Sequence, residues 1–224
     1  HSEESLTATS VPAQESDELL SDSQQAELFA AYENMRRRVL QGDIFDEHMM
    51  LALRQIYYAS YGDGDNAYRS CDASWRGDNG MVHVSCSYIP TIMRQLFLHL
   101  AQNNETCVDL AWVAGSSAFI AVHAHPFSDG NKRMSFLLML YVAMKNGLCG
   151  NLDRERFIAL FHEFYDMADQ PRAVFVSFVR RAMFGGSVHA GGSTQSDSPG
   201  VGTPVKAPTL PDFSQWGTKS SGRG

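Results

Sequence analysis

The chain is 224 residues long, 44% hydrophobic, with a formal net charge of -7. That length buries one sizeable core and leaves room for tails. The acidic balance argues against a nucleic-acid-binding surface, which needs clustered basic residues. No apolar run reaches membrane-spanning length: Ala111–Ala124, the longest, contains Gly115, Ser116 and Ser117 and reads as a buried core helix. Four cysteines (Cys71, Cys86, Cys107, Cys149) lack CxxC or zinc-ligand spacing, so buried free thiols are expected and disulfides are left open. Asn104-Glu105-Thr106 fits the N-glycosylation triplet, which is too common to assign a compartment. The chain begins at His1, as a trimmed or processed product would, so any targeting segment lies outside it.

Residues 1–22 are acidic, rich in Ser and Thr and free of Lys and Arg, and read as a disordered tail. Residues 185–224 are rich in Gly, Ser and Pro and read as a second tail. Between them, 23–184 reads as one folded domain, all-α and mainly helical, with a single small β-hairpin. Ser23 is the expected N-cap of a helix to about Val39, followed by a helix over Phe45–Tyr58. Turn signals at Gly62–Asn66 and Gly77–Gly80 flank short extended pieces, including Met81–Val84, and predict a hairpin between about 68 and 88. Pro90 then opens a helix through Leu100, and Val108–His123 forms a long buried one. Arg133–Lys145 is the next, stopped at Asn146-Gly147. Asp153 caps a helix to about Met167, and Pro171 starts the last, to Phe184.

The loop between the two most apolar helices reads His125-Pro126-Phe127-Ser128-Asp129-Gly130-Asn131-Lys132-Arg133. Its residue types are those of a phosphate-handling site at a helix start. His125 has the near-neutral titration of a general base for a hydroxyl. Asp129 can hold Mg²⁺ between phosphate oxygens. Gly130 lets the backbone close over a phosphate. Asn131 can donate to a phosphoryl oxygen, backbone amides of 130–132 add to the anion hole, and Arg133 offers a guanidinium fork to terminal phosphates. Phe127 is expected to turn inward and anchor the loop. His123 is expected to point elsewhere, since helical zinc ligands prefer i,i+4 spacing.

The motif resembles that of the Fic (Fido) family, His-x-Phe-x-Asp/Glu-Gly-Asn-x-Arg. Ala67-Tyr68-Arg69-Ser70, Tyr88-Ile89-Pro90 and Phe175–Val179 resemble further segments of that family, in the right order. The resemblance implies a mainly helical fold with a hairpin flap, ATP and Mg²⁺ as substrate and cofactor, and an adenylyltransferase putting AMP on a Ser, Thr or Tyr hydroxyl. It makes His125 the catalytic base and Asp129 the metal ligand, with Gly130, Asn131, Lys132 and Arg133 on the nucleotide. The target protein would lie along the flap near 81–89. Two positions depart from the common pattern: Lys132 replaces a glycine and Phe136 a second arginine. Both resemble the Doc branch, which phosphorylates its target, so a kinase and a non-catalytic binding module stay as alternatives. Restoring arginine at 136, with glycine at 132, is expected to favour AMP transfer if position 136 faces the site. Neither Glu33-Asn34 nor Ser23-x-x-x-Glu27 completes the family's inhibitory helix motif, and no in-chain autoinhibition is expected. A homodimer stays open, as do a cytoplasmic location and delivery to another cell as an effector.

Overall fold

The computed structural model of the chain describes residues 20–61, 67–77, 80–102, 109–147, 151–167 and 170–184. The two stretches read as tails fall outside these at 1–19 and 185–224, as do Asn104–Thr106, Cys107 and Cys149. Seven α-helices make up most of the described residues: α1 Asp22–Leu40, α2 Glu47–Tyr57, α3 Ile89–Gln102, α4 Leu110–Ala124, α5 Asn131–Lys145, α6 Arg154–Met167 and α7 Arg172–Phe184. Two strands, β1 Ala73–Gly77 and β2 Gly80–Val84, pair antiparallel with Ala73 opposite Val84 and Gly77 opposite Gly80. Among the described residues, no helix is long and apolar enough to cross a membrane.

Helix α1 starts earlier than the sequence suggests. Ser21, not Ser23, is its N-cap: Ser21 accepts from the Gln24 N–H while the Gln24 side chain accepts from the Ser21 N–H. That reciprocal capping box satisfies two terminal donors at once and outcompetes a cap two residues later. Leu20, inside the stretch read as tail, packs against the core. Glu33 pairs with Arg36 on the α1 surface, and Glu27 accepts from the Ser60 hydroxyl. Asp46, Asp109 and Asp153 cap α2, α4 and α6 through their carboxylates.

Helices α4 and α5 form the centre. Both are buried almost all round: α4 is apolar along its length, and α5 is apolar from Phe136 to Met144 after a polar first turn. Helix α4 packs chiefly on α5 and α7. Gly115 allows that approach, since a Cβ there would lie 2.9 Å from the Val176 Cα. Helix α1 buries Leu28, Ala31, Tyr32 and Met35, one stripe at helical spacing, and the Tyr32 hydroxyl accepts from the Leu152 N–H. Helix α6 contributes Phe157, Phe161 and Phe164 at i, i+4 and i+7.

Phe136 of α5 sits at the centre of that aromatic cluster. It is fully buried, 5.3 Å between ring centroids from each of Phe157, Phe161 and Phe164. Position 136 therefore faces the core and not a phosphate, and the expectation of a nucleotide grip restored by arginine there is corrected. The cysteines need correction too: Cys71 is exposed and Cys86 half-buried, because both lie beside the hairpin and outside the helical core.

Candidate active site

The end of α4 and the start of α5 are joined by the five-residue turn Pro126–Gly130, and both helix ends are conformationally special. His125 is the C-cap of α4 in the left-handed region, φ 48° and ψ 58°, and is the single non-glycine residue there among the described residues. A histidine held where glycine is usual stores strain, a feature of functional sites. Gly130 is the N-cap of α5, with φ 78° and no side-chain cap. The first turn of α5 thus carries the positive end of its dipole without a side-chain cap.

A set of buried side chains stitches this turn in place. Arg69 is 6% exposed. Its Nε donates to the His125 carbonyl at 2.7 Å, its Nη2 to the Val84 carbonyl at 2.7 Å, and its backbone N–H to the Pro126 carbonyl at 2.9 Å. Arg54 is 1% exposed; its Nη1 donates to the Asp129 carbonyl at 2.7 Å. The Arg54 guanidinium lies over the rings of Tyr58 and Phe127, at 4.5 and 4.2 Å. The Tyr57 hydroxyl donates to the Gly130 carbonyl at 3.3 Å, and burial pushes its pKa up to about 12. Phe127 is buried between Arg54 and Tyr68 and anchors the loop as its sequence position suggests.

Asp129 keeps its carboxylate at the surface, 37% exposed, and oriented by three donors. The Gly130 N–H bonds Oδ1, while the Tyr58 hydroxyl and Arg133 Nη2 each reach Oδ2 at 3.3 Å. Arg133 is itself buried, and its Nη1 donates to the Tyr57 carbonyl at 3.1 Å. Its fork is engaged with the loop and α2 rather than held out toward solvent. Asn131 departs further from the sequence reading. It is 1% exposed, its Nδ2 donates to the Phe127 carbonyl, and its Oδ1 accepts from the Phe127 N–H. A reciprocal amide pair of this kind closes the loop, a structural role beside the phosphoryl contact expected of Asn131. Lys132 is half-buried, with Nζ 4.0 Å from the centroid of Tyr165 on α6. His123 hydrogen-bonds the Phe119 carbonyl and stacks on the Phe119 ring, turned away from His125 as expected.

Gly130 is required by space as well as by φ. A Cβ there would lie 3.0 Å from the Tyr57 ring and 3.4 Å from the guanidiniums of Arg54 and Arg133. Gly130→Ala is expected to destabilise the protein by about 2 kcal/mol, from left-handed strain plus the close contact. Urea denaturation measures this; an unchanged midpoint would mean the loop relaxes freely.

Burial, then the charges of Arg69 and Lys132, push the His125 pKa down to about 4 from its ordinary 6.5, against an opposing pull from Asp129. The imidazole is therefore neutral at physiological pH and able to accept a proton. Because the unfolded chain binds that proton more readily, stability present above pH 6.5 is lost as pH falls toward 4, by about 3 kcal/mol in all. His125→Asn, which tolerates the left-handed backbone, should lose correspondingly less stability between pH 7 and 4. Parallel wild-type and variant curves in acid denaturation would contradict the shift.

Sequence reasoning missed the support from α2. Arg54, Tyr57 and Tyr58 lie some 70 positions before the motif, and nothing local connects them. One signal was present: Met50, Leu53, Arg54 and Tyr57 share one helical face, and an arginine on an apolar face asks for a buried partner.

Residues 44–143 match the sequence pattern of the Fic/DOC family. Among solved structures, the chain is similar to a Fic domain containing signaling protein from Bacteroides thetaiotaomicron VPI-5482, with TM-score 0.54 and 17% identity over 76% of this chain and 75% of that one. It is also similar to a Fic family protein from Desulfovibrio desulfuricans G20, with TM-score 0.48 and 17% identity over 75% of this chain. The chain spans 55% of the length of that second protein. No curated protein matches. With its helical fold and its His125–Arg133 loop, the chain is similar to the Fic/DOC family over residues 44–143.

Proposed function

We propose that this protein is an adenylyltransferase that moves AMP from ATP to a Ser, Thr or Tyr hydroxyl of a target protein. One observation carries the reading: a buried histidine at the end of α4, its pKa lowered by burial, stands five residues from the uncapped N-terminus of α5, in a turn held by buried arginines. Arg54 and Arg133 outweigh the single carboxylate of Asp129 and leave a fixed positive field under the turn. Such a field stabilises phosphate charge without reorganising when the reaction begins. His125 takes the proton of the incoming hydroxyl, the hydroxyl oxygen attacks the α-phosphorus, and pyrophosphate leaves with its electron pair. The first-turn amides of α5 and the side chain of Lys132 hold the phosphates in line.

Mg²⁺ fits this donor set as a passenger of the nucleotide. No group of three acidic, His or Cys ligands occurs among the described residues, but Asp129 presents an exposed, oriented carboxylate. One carboxylate plus substrate phosphates is the usual Mg²⁺ arrangement in phosphoryl-transfer sites. Bound there through Asp129, the ion would neutralise phosphate charge. The target would lie along β2 and the residues after it, near 81–89, by strand-like pairing.

Phosphate transfer is the second reading, and the burial of Phe136 favours it, because α5 offers no second guanidinium to hold a terminal phosphate away from the base. Incubation of the protein and a lysate with α- and γ-labelled ATP separates the two. Protein label from the α position alone supports AMP transfer, and label from γ alone replaces it with a kinase. Neither label would leave a nucleotide- or protein-binding module.

A further inference from the structure

We propose that Cys71 and Cys86 are a disulfide-forming site at the open end of the hairpin, closed by a peroxide and reopened by thiols. The pairing of Ala73 with Val84 continues outward one step to Asp72 and Ser85, and one more to Cys71 and Cys86. Side-chain contacts hold the chain in that register beyond the strands. Asp72 Oδ1 accepts from the Ser85 hydroxyl at 2.9 Å and from the Cys86 N–H at 2.8 Å. The Cys86 Sγ lies 3.3 Å from the Ser70 carbonyl oxygen, alongside the peptide unit that joins Ser70 to Cys71. Arg69 draws the two sides together, donating to the carbonyls of both Cys71 and Val84. Neither cysteine is in the core: Cys71 is exposed and Cys86 half-buried, so an oxidant reaches both.

The Cys86 thiol pKa is raised, chiefly by its hydrogen bond with Asp72, then by burial and the Asp72 charge. In the first step the Cys71 sulfur attacks one peroxide oxygen, the O–O bond breaks, and a sulfenic acid and one water form. In the second, the Cys86 sulfur attacks the Cys71 sulfur, the S–S bond forms, the S–O bond breaks, and a second water leaves with the thiol proton. Two thiols are oxidised and one peroxide is reduced to two waters. The product ties the two ends of the hairpin beside the arginine that holds the His125 carbonyl.

The test treats the full chain with hydrogen peroxide, alkylates the remaining thiols and maps peptides without reduction. The expected result is an intramolecular Cys71–Cys86 link that dithiothreitol removes, with a melting temperature about 5 °C above the reduced protein. Cys71→Ser should abolish both the link and the rise. Alkylated thiols or sulfinic acids at both positions would overturn the proposal. So would links to Cys107, to Cys149 or between chains, or a Cys71–Cys86 link with no rise in melting temperature.

Discussion

Replacing His125 with alanine is expected to lower label transfer from ATP to protein by about 10²–10⁴-fold, the usual effect of losing a general base. Nucleotide binding should persist, since the phosphate-facing features belong to the turn and α5. The alanine variant carries a side effect: at φ 48° it adds about 1 kcal/mol of left-handed strain relative to a residue that tolerates that region. His125→Asn keeps the backbone preference and still lacks a base, so the two variants should lose transfer alike while differing slightly in stability. Transfer measured with labelled ATP, beside ATP binding by calorimetry, tests this. A folded alanine variant with wild-type transfer would mean that another group takes the proton.

Phe136→Arg should be the most destabilising change at any motif-linked position, on the order of 4 kcal/mol. The side chain is fully buried among three phenylalanines of α6, with no carboxylate in that cluster to receive a guanidinium. Phe136→Leu, which keeps an apolar group but leaves a void, should lose only about 1–2 kcal/mol. With typical domain stabilities of about 5–15 kcal/mol, the arginine variant approaches the limit of folding. Urea unfolding of the two variants side by side makes the comparison. Equal midpoints would show that the arginine escapes to solvent, and position 136 would then regain a claim on the nucleotide.

The order of the helices was legible because each carries its own local marks. Asp153 and Gly147 end or begin helices by chemistry confined to a few residues, and the stripes of α1 and α6 follow from spacing alone. The motif was legible for the same reason, since nine consecutive residues name the chemistry. What stayed hidden is set by tertiary contacts. Asn131 and Arg133 look like ligands in a linear reading, and their inward use by Phe127, Tyr57 and Asp129 depends on how the turn folds back. Arg69 could be placed near a hairpin but not on the carbonyl of His125, 56 positions away. The side chain of Phe136 could be read as apolar, but only α6 decides which way an apolar residue on an all-round apolar helix must face.

The aromatic cluster around Phe136 also sets where the protein can be cut. The family match ends at 143, yet the rings that cover Phe136 come from Phe157, Phe161 and Phe164, and Phe164 in turn rests on Phe175 and Phe178. On the other side, Tyr32 of α1 meets Phe157 from before the match begins. The matched stretch is therefore not self-sufficient: trimmed to its own limits, it would present the Phe136 face of α5 to water. The portable unit is the longer one, α1 through α7, and any transplant of this site into another protein has to carry the flanking helices as its shell.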